Sequence, residues 1–158
     1  MGCDIHCFVE YRERNHHPDD SWMWFGGRIN PGRNYEVFGR LAGVRWNVPD
    51  ALEPRGLPSD IAFPAREHAF LFIIDKETEN ESYVSRELAE QWIASGLCKK
   101  YGDHWITHPD WHSYSWVTPD EWEKATAGGG REYAALLAAM RSLESSGCEV
   151  RVVFWFDN

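Results

Sequence analysis

Residues 3–10, Cys-Asp-Ile-His-Cys-Phe-Val-Glu, alternate between two sets of side chains with a period of two. This is the repeat of a β-strand, in which successive side chains point to opposite faces of the sheet. The two sets are Cys3, Ile5, Cys7 and Val9 on one face and Asp4, His6, Phe8 and Glu10 on the other. We therefore predict an N-terminal strand with one buried face and one polar face. The polar face is the first candidate site.

The last ten residues, 149–158, predict a second strand with the same alternation. Its strongly apolar character, with Val150, Val152, Phe154 and Phe156 on one face, favours a place at or near the centre of a sheet. If this strand neighbours the first one, it brings Asp157 toward Asp4 and His6.

The intervening chain predicts helices joined to further strands and two long loops. A possible return strand runs from Trp22 to Ile29 with Gly26-Gly27 in it, and a buried strand covers 70–75. Helices are predicted after Asn34, after Ser85, at the capping box 118–121 and over 131–145. Segments 46–64 and 103–116 are predicted loops, because both carry proline and lack a helical period. These elements predict one α+β domain over residues 1–158, with a mainly antiparallel or mixed sheet, N- and C-terminal strands and about four helices.

Composition excludes some classes of function. A net charge of −9 argues against a protein that coats long nucleic acid, because that binding depends on neutralising phosphates. The charge is uneven, and five arginines between 28 and 55 favour a local site for a small phosphorylated ligand, unless they are simply solvated. No apolar run reaches the roughly 18 residues of a membrane helix, and the N-terminus has no signal-peptide pattern, so we expect the cytoplasm.

The second candidate site is the histidine-rich segment 103–116. It holds three His, two Asp and three Trp, and histidine with carboxylate is the usual ligand mixture for zinc or manganese. The residues nearest the following helix, His112, Ser113, Ser115 and Trp116, are the predicted binding group. A Ser–His pair for covalent catalysis ranks lower, because no Gly-x-Ser-x-Gly elbow is present.

The third candidate site is the proline-rich loop 53–60. Its Arg55 suits anion recognition, Gly56 allows close approach of a ligand to the backbone, and Asp60 is predicted with Arg55 as a ligand-binding residue. The alternative is a rigid loop in which Arg55 pairs with Asp60.

The opening Met1-Gly2-Cys3-Asp4-Ile5-His6, followed by Val9-Glu10, resembles a family of small bacteriophage and prophage proteins. The likeness continues over nearly the whole chain, in blocks at 33–35, Phe38, 41–45, 55–60, 112–118 and 152–158. Trp46 stands where similar sequences more often have Asn. The resemblance implies an accessory role in the bacterial host, and small phage proteins of this kind often counter host defence by cleaving or sequestering nucleotide signals.

Three functions follow as hypotheses. The first is a metal-assisted phosphoester hydrolase in which Asp4, His6, His112 and Asp157 hold a divalent ion and Arg45 or Arg55 neutralises phosphate. The second is a binding protein that sequesters a nucleotide without turnover. The third is an acidic module that contacts a host protein. A homo-oligomer is left open.

Overall fold

The computed structural model describes residues 2–158, and its five helices and eight strands confirm the α+β class. The elements in chain order are β1 (Ile5–Glu13), β2 (Met23–Ile29), α1 (Tyr35–Ala42), α2 (Phe63–Ala69), β3 (Phe70–Ile74), β4 (Tyr83–Ser85), α3 (Arg86–Ala94), β5 (Lys100–Tyr101), β6 (Trp105–Thr107), β7 (Trp111–Val117), α4 (Pro119–Thr126), α5 (Arg131–Ser145) and β8 (Cys148–Asp157). The chain divides into two units, one of residues 2–62 with 112–158 and one of residues 63–111.

The first unit contains a four-stranded sheet in the order β2-β1-β8-β7. β1 pairs antiparallel with β2 and, over nine residue pairs from Ile5↔Phe156 to Glu13↔Cys148, with β8. β8 therefore lies inside the sheet, as its apolar sequence predicted. One sheet face, including Ile5, Val152 and Phe154, packs into a core with side chains of α1, α4 and α5.

The helices of this unit begin and end where their capping residues predicted. Asn34 caps α1 through a bond from the Val37 amide, and Gly43 ends it in the left-handed conformation at φ 66°. Thr118 and Glu121 form the reciprocal capping box at the start of α4. α5 ends before Gly147, which also has a positive φ.

The second unit contains a four-stranded sheet in the order β4-β3-β6-β5. β3 pairs parallel with β4 and antiparallel with β6, and β5 pairs antiparallel with β6. Leu71, Ile73 and Ile106 form a small core on one face with Ala89 of α3. Ser85 caps α3 through a bond from the Leu88 amide.

Two predicted loops contain regular structure. Segment 46–64 ends in α2, whose Pro64 stands in the first turn, where proline is tolerated because its missing N–H has no helical partner. The irregular loop predicted for 103–116 is wrong, because it contains β6 and most of β7. The aromatic and β-branched residues that argued against a helix there favour a strand.

The predicted polar face of the first strand is not a solvent-exposed face. Residues 5–10 are all buried, and Glu10 is 0% exposed. The period-two pattern located the strand correctly, but a strand in which both faces are buried can still alternate between apolar and paired polar side chains. Tyr35 of α1 and Leu88 of α3 are exposed.

Candidate functional site

The start of β1 and the end of β8 meet because the two strands are antiparallel. The backbone amide of Asp157 donates to the Asp4 carbonyl at 3.1 Å. The Asp4 amide in turn donates to Oδ1 of Asp157 at 2.8 Å. These bonds bring the carboxylates of Asp4 and Asp157 together at one end of the paired strands β1 and β8.

The side chain of His6 contacts the carboxylate of Asp157 at this end of the two strands. Its Nε2 is 2.9 Å from Asp157 Oδ2, and its ring stacks on Trp155 at 5.7 Å between centroids. Only 4% of His6 is exposed, and burial lowers the pKa of its imidazole against the opposing effect of Asp157. A neutral His6 therefore donates Nε2–H to the carboxylate and fixes its orientation.

Asp4 forms an ion pair with Arg33, which precedes α1. Nε and Nη2 of Arg33 donate to the two carboxylate oxygens of Asp4 at 2.6 and 3.0 Å. This two-bond contact lowers the pKa of Asp4. Asp4 therefore remains ionised, with both of its oxygens bonded to a cation.

Two more arginines, Arg28 and Arg45, act electrostatically on side chains of this group and have no carboxylate partner of their own in the described chain. Within residues 2–158 neither forms an ion pair, and both are exposed. The charge of Arg28 acts on the titration of Asp4 and His6, and that of Arg45 acts on Cys3 and His112. Arg28 lies within the irregular part of β2, where the register with β1 shifts between Cys7 and Val9. These are two unpaired positive groups beside two carboxylates.

His112 enters the cluster from β7. Its Nδ1 is 2.9 Å from Ser113 Oγ, and its ring stacks on Phe156 at 6.2 Å. Burial lowers the pKa of His112, while a bond to Asn158 and the charge of Asp157 act in the opposite direction. Asp157 thus affects the titration of both histidines.

The backbone is strained at this cluster. Among the described residues, the only non-glycine residues with positive φ are Arg45 at 62° and Ser113 at 54°. Such conformations cost about 1–3 kcal/mol and are enriched at functional sites. Arg45 belongs to the cluster, and Ser113 directly follows His112. The surrounding fold therefore holds both of these strained residues in place.

The other predicted binding residues have different environments. Arg55 forms an ion pair with Glu121 and lies 4.7 Å above the ring of Trp116. Its amide donates to the buried Ser115 hydroxyl at 3.1 Å. The alternative that Arg55 pairs with Asp60 is wrong. The guanidinium of Arg55 already has a carboxylate partner.

Asp60 and Glu10 belong to a separate charge network around Arg151. Arg151 donates to Glu10 at 2.7 Å and to Asp60 at 2.8 Å, and Trp22 donates its indole N–H to Asp60 at 2.8 Å. The amide of Ala62 completes the contacts of Glu10. Glu10 was expected beside Asp4 and His6 as a site residue, but this network binds it within the fold.

Arg28 and Arg33 were not predicted individually as site residues. Their clustering with Arg45 in the sequence was the available signal, and it indicated an anion site. Their partners were not visible, because Arg33 and Asp4 are brought together by the turn between β2 and α1.

The predicted metal ligands differ in how well their surroundings would suit a metal ion. Among residues 2–158, no group of three or more His, Cys, Asp or Glu side chains is arranged to hold a metal ion. Asp4 fits a metal poorly, because Arg33 bonds both of its oxygens. Of the other predicted ligands, His6 and Asp157 are in direct contact, and the charge of Asp157 acts on the titration of His112.

A comparison of the chain with family models, curated proteins and solved structures finds no match. Over the described part of the chain, no helix has both the length and the apolar character needed to cross a membrane.

Proposed function

We propose that the protein binds a small phosphorylated ligand of the nucleotide class at this cluster and cleaves a phosphoester bond in it. The observation that carries the proposal is the pair of exposed guanidinium groups, Arg28 and Arg45, which act electrostatically on Asp4, His6 and His112 and have no ion-pair partner in the described chain. Guanidinium is the preferred protein group for phosphate, because its planar N–H groups match two phosphate oxygens.

A nucleotide fits better than inorganic phosphate because of Trp46. This residue follows Arg45 directly and is 56% exposed. An exposed indole beside a phosphate-binding group offers a stacking surface for a base, at about 1–3 kcal/mol per base. Phosphate on Arg45 and a base on Trp46 are thus adjacent contacts.

His112 is the proposed acid–base group. It is half-buried, and its lowered pKa keeps it neutral near pH 7, ready to accept a proton. Water attacks phosphorus as the bond from phosphorus to the leaving oxygen breaks. His112 takes the proton of the water and returns a proton to the leaving oxygen. His6 acts through Asp157 as a positioning residue.

A divalent ion is a second form of this proposal. Asp157, His6 and His112 do not form a preformed metal-binding group within residues 2–158, so they would have to rearrange to hold zinc or manganese, and the ion would then supply an activated water. The steps assigned to Arg28, Arg45 and His112 do not require it. Dialysis against a chelator, followed by metal analysis and re-addition of zinc or manganese, separates the two forms.

Sequestration without cleavage is the second candidate function. It is favoured by the near-complete burial of His6 and its bond to Asp157, which is typical of a structural pair. In that case Arg28 and Arg45 hold the ligand and His112 contributes packing. An accessory role in a phage-infected host is compatible with both candidates and stays a prediction.

The test is to incubate the protein with a panel of linear and cyclic mono- and dinucleotides and to measure binding by calorimetry and products by chromatography. Arg45→Gln and Arg28→Gln should each weaken binding about tenfold or more, since a charged hydrogen bond contributes roughly 1.5–3 kcal/mol. Arg131→Gln, which removes an exposed arginine of α5, is the control.

The same panel decides between cleavage and sequestration. His112→Gln should abolish product while leaving the dissociation constant within about threefold of the unmodified protein. The rate for unmodified protein should stay high through the ordinary histidine pKa of about 6.5 and fall only at lower pH, because burial lowers the pKa of His112 and its protonated form cannot accept a proton. Ligand recovered intact from every incubation would establish sequestration. No binding by any nucleotide would contradict both.

A further inference from the structure

The sheet of the second unit carries a row of aromatic side chains on the face opposite its core. On β3, Leu71 and Ile73 point into the core, so Phe72 points to the other face. Phe72 is paired in register with Tyr83 of β4 and with Trp105 of β6. Cross-strand pairing therefore places three aromatic rings side by side over three strands.

The three rings are steeply inclined to one another and do not form a flat surface. The ring of Phe72 is inclined at 89° to that of Tyr83, with centroids 6.1 Å apart. It is inclined at 75° to that of Trp105, with centroids 4.9 Å apart. The three rings border a cavity of about 300 Å³ that Glu67 and Ser82 complete. Tyr83 remains 43% exposed at its edge.

The charge around this cavity is negative. Glu67 is the one charged residue among the described residues that line it, and it is exposed. Between residues 63 and 111 the sequence has five Lys and Arg against nine Asp and Glu. A phosphorylated ligand is disfavoured here, and a cation is attracted both by Glu67 and by the negative faces of the rings.

From these observations we propose that this cavity is an aromatic cage that binds an alkylated ammonium group. Perpendicular aromatic rings with a nearby carboxylate surround a compact, nearly spherical cation on several sides. A nucleobase or a sugar ring is flat and stacks best on one exposed ring or between parallel rings, an arrangement that these inclinations do not offer. The site is separate from the arginine cluster of the first unit and does not depend on the function proposed for it.

Two ligands of equal shape test the role of charge. Choline and 3,3-dimethylbutan-1-ol differ in the replacement of the ammonium nitrogen by carbon, so an apolar cavity binds them alike and a cation cage does not. We expect calorimetry to give a dissociation constant on the order of 1 mM or lower for choline and binding at least about fivefold weaker for the alcohol. The amide of trimethyllysine is titrated in parallel. Tighter binding of trimethyllysine than of choline identifies a methylated protein as the source of the cation, and the reverse order identifies a free quaternary amine.

Variants locate the binding. Tyr83→Ala should weaken choline binding about tenfold, and Glu67→Gln, which keeps the shape of the side chain, about fivefold. Both residues are exposed, so the fold should tolerate the changes. Tyr35→Ala and Glu90→Gln remove an exposed aromatic ring and an exposed carboxylate elsewhere and should leave binding unchanged.

Three results would overturn the proposal. They are equal affinity for choline and the neutral alcohol, no binding of choline or trimethyllysine up to about 50 mM, and binding that Tyr83→Ala and Glu67→Gln leave unaltered. Circular dichroism of each variant confirms that the fold is retained.

Discussion

At the scale of single residues, the polar side chains of β1 serve different purposes although they share one face. His6 orients Asp157 at the cluster, whereas Glu10, four residues further along the strand, is enclosed with Arg151 and Asp60. Trp22 packs on Arg151 with the guanidinium carbon 3.9 Å from the ring centroid. The identity of a polar residue on this strand therefore does not indicate its role, which depends on what lies opposite.

The Glu10–Arg151 pair leads to a prediction about stability. Burial raises the pKa of Glu10 while Arg151 opposes that rise, so the carboxylate depends on its partner. Glu10→Ala should lower the free energy of unfolding by about 3–5 kcal/mol, because it leaves a buried guanidinium short of one partner. Urea denaturation measures this loss.

The matched control for Glu10 is the double variant Glu10→Met with Arg151→Met. Replacing both charges with apolar side chains removes the uncompensated ion, so the double variant should be more stable than Glu10→Ala. Equal losses in the two would mean that packing, and not charge pairing, accounts for the effect.

At the scale of elements, the irregularity in β2 connects the sheet to the candidate site. Cys7 pairs with Ile29 and Val9 with Phe25, so β2 has two more residues than β1 in the same interval. Gly26 lies in this interval with φ 70°. Bulges of this kind bend a strand and redirect side chains, often beside functional sites. Here Arg28 lies within the bulged interval itself.

A pair of glycine substitutions tests this bulge. Gly26→Ala should destabilise the protein by about 1 kcal/mol, because alanine disfavours the left-handed conformation. A Cβ at Gly26 meets nothing within 4 Å, so the cost is purely conformational. Gly27→Ala, at the next position and also with open space around its Cβ, should be nearly neutral. Thermal denaturation compares them, and equal effects would contradict the role of the positive φ.

Capping residues and terminal strands were predictable at this scale, and the short strands were not. Asn34, Ser85 and Thr118 cap helices through local bonds, and local bonds depend on residues only three apart. β5 and β6 have two and three residues, too few for a period to be read. β6 is stabilised by pairing with β3, and β5 by pairing with β6, and the sequence does not display either partner.

At the scale of the molecule, the two ends of the chain form the middle of one sheet. β1 and β8 are separated by more than a hundred residues and pair along nearly their full length. Pairing over such a separation has a high entropic cost until the rest of the unit is formed, which favours slow, cooperative folding. The core of this unit includes large buried residues such as Trp122, Tyr133 and Phe154.

Hydrogen exchange should reflect this arrangement. We expect the amides of β1 and β8 to exchange slowest, at a rate set by global unfolding, because they have partners on both sides. The amides of β4 and β5, at the edges of the second sheet and near its smaller core, should exchange faster. Mass spectrometry of peptides measures both regions. Protection of β5 equal to that of β8 would contradict the prediction.

The sequence by itself determined the α+β class, the first and last strands, three capped helices and the presence of an anion-favouring arginine cluster. Each of these depends on a period, a cap or a local density of charge, which are properties of neighbouring residues. Only the tertiary structure decided which arginines are free. It paired Arg33 with Asp4 and Arg55 with Glu121, and left Arg28 and Arg45 without an ion-pair partner in the described chain. The partner of a charged side chain depends on long-range packing, since the same residue is a ligand site when unpaired and a structural ion pair when a carboxylate lies opposite.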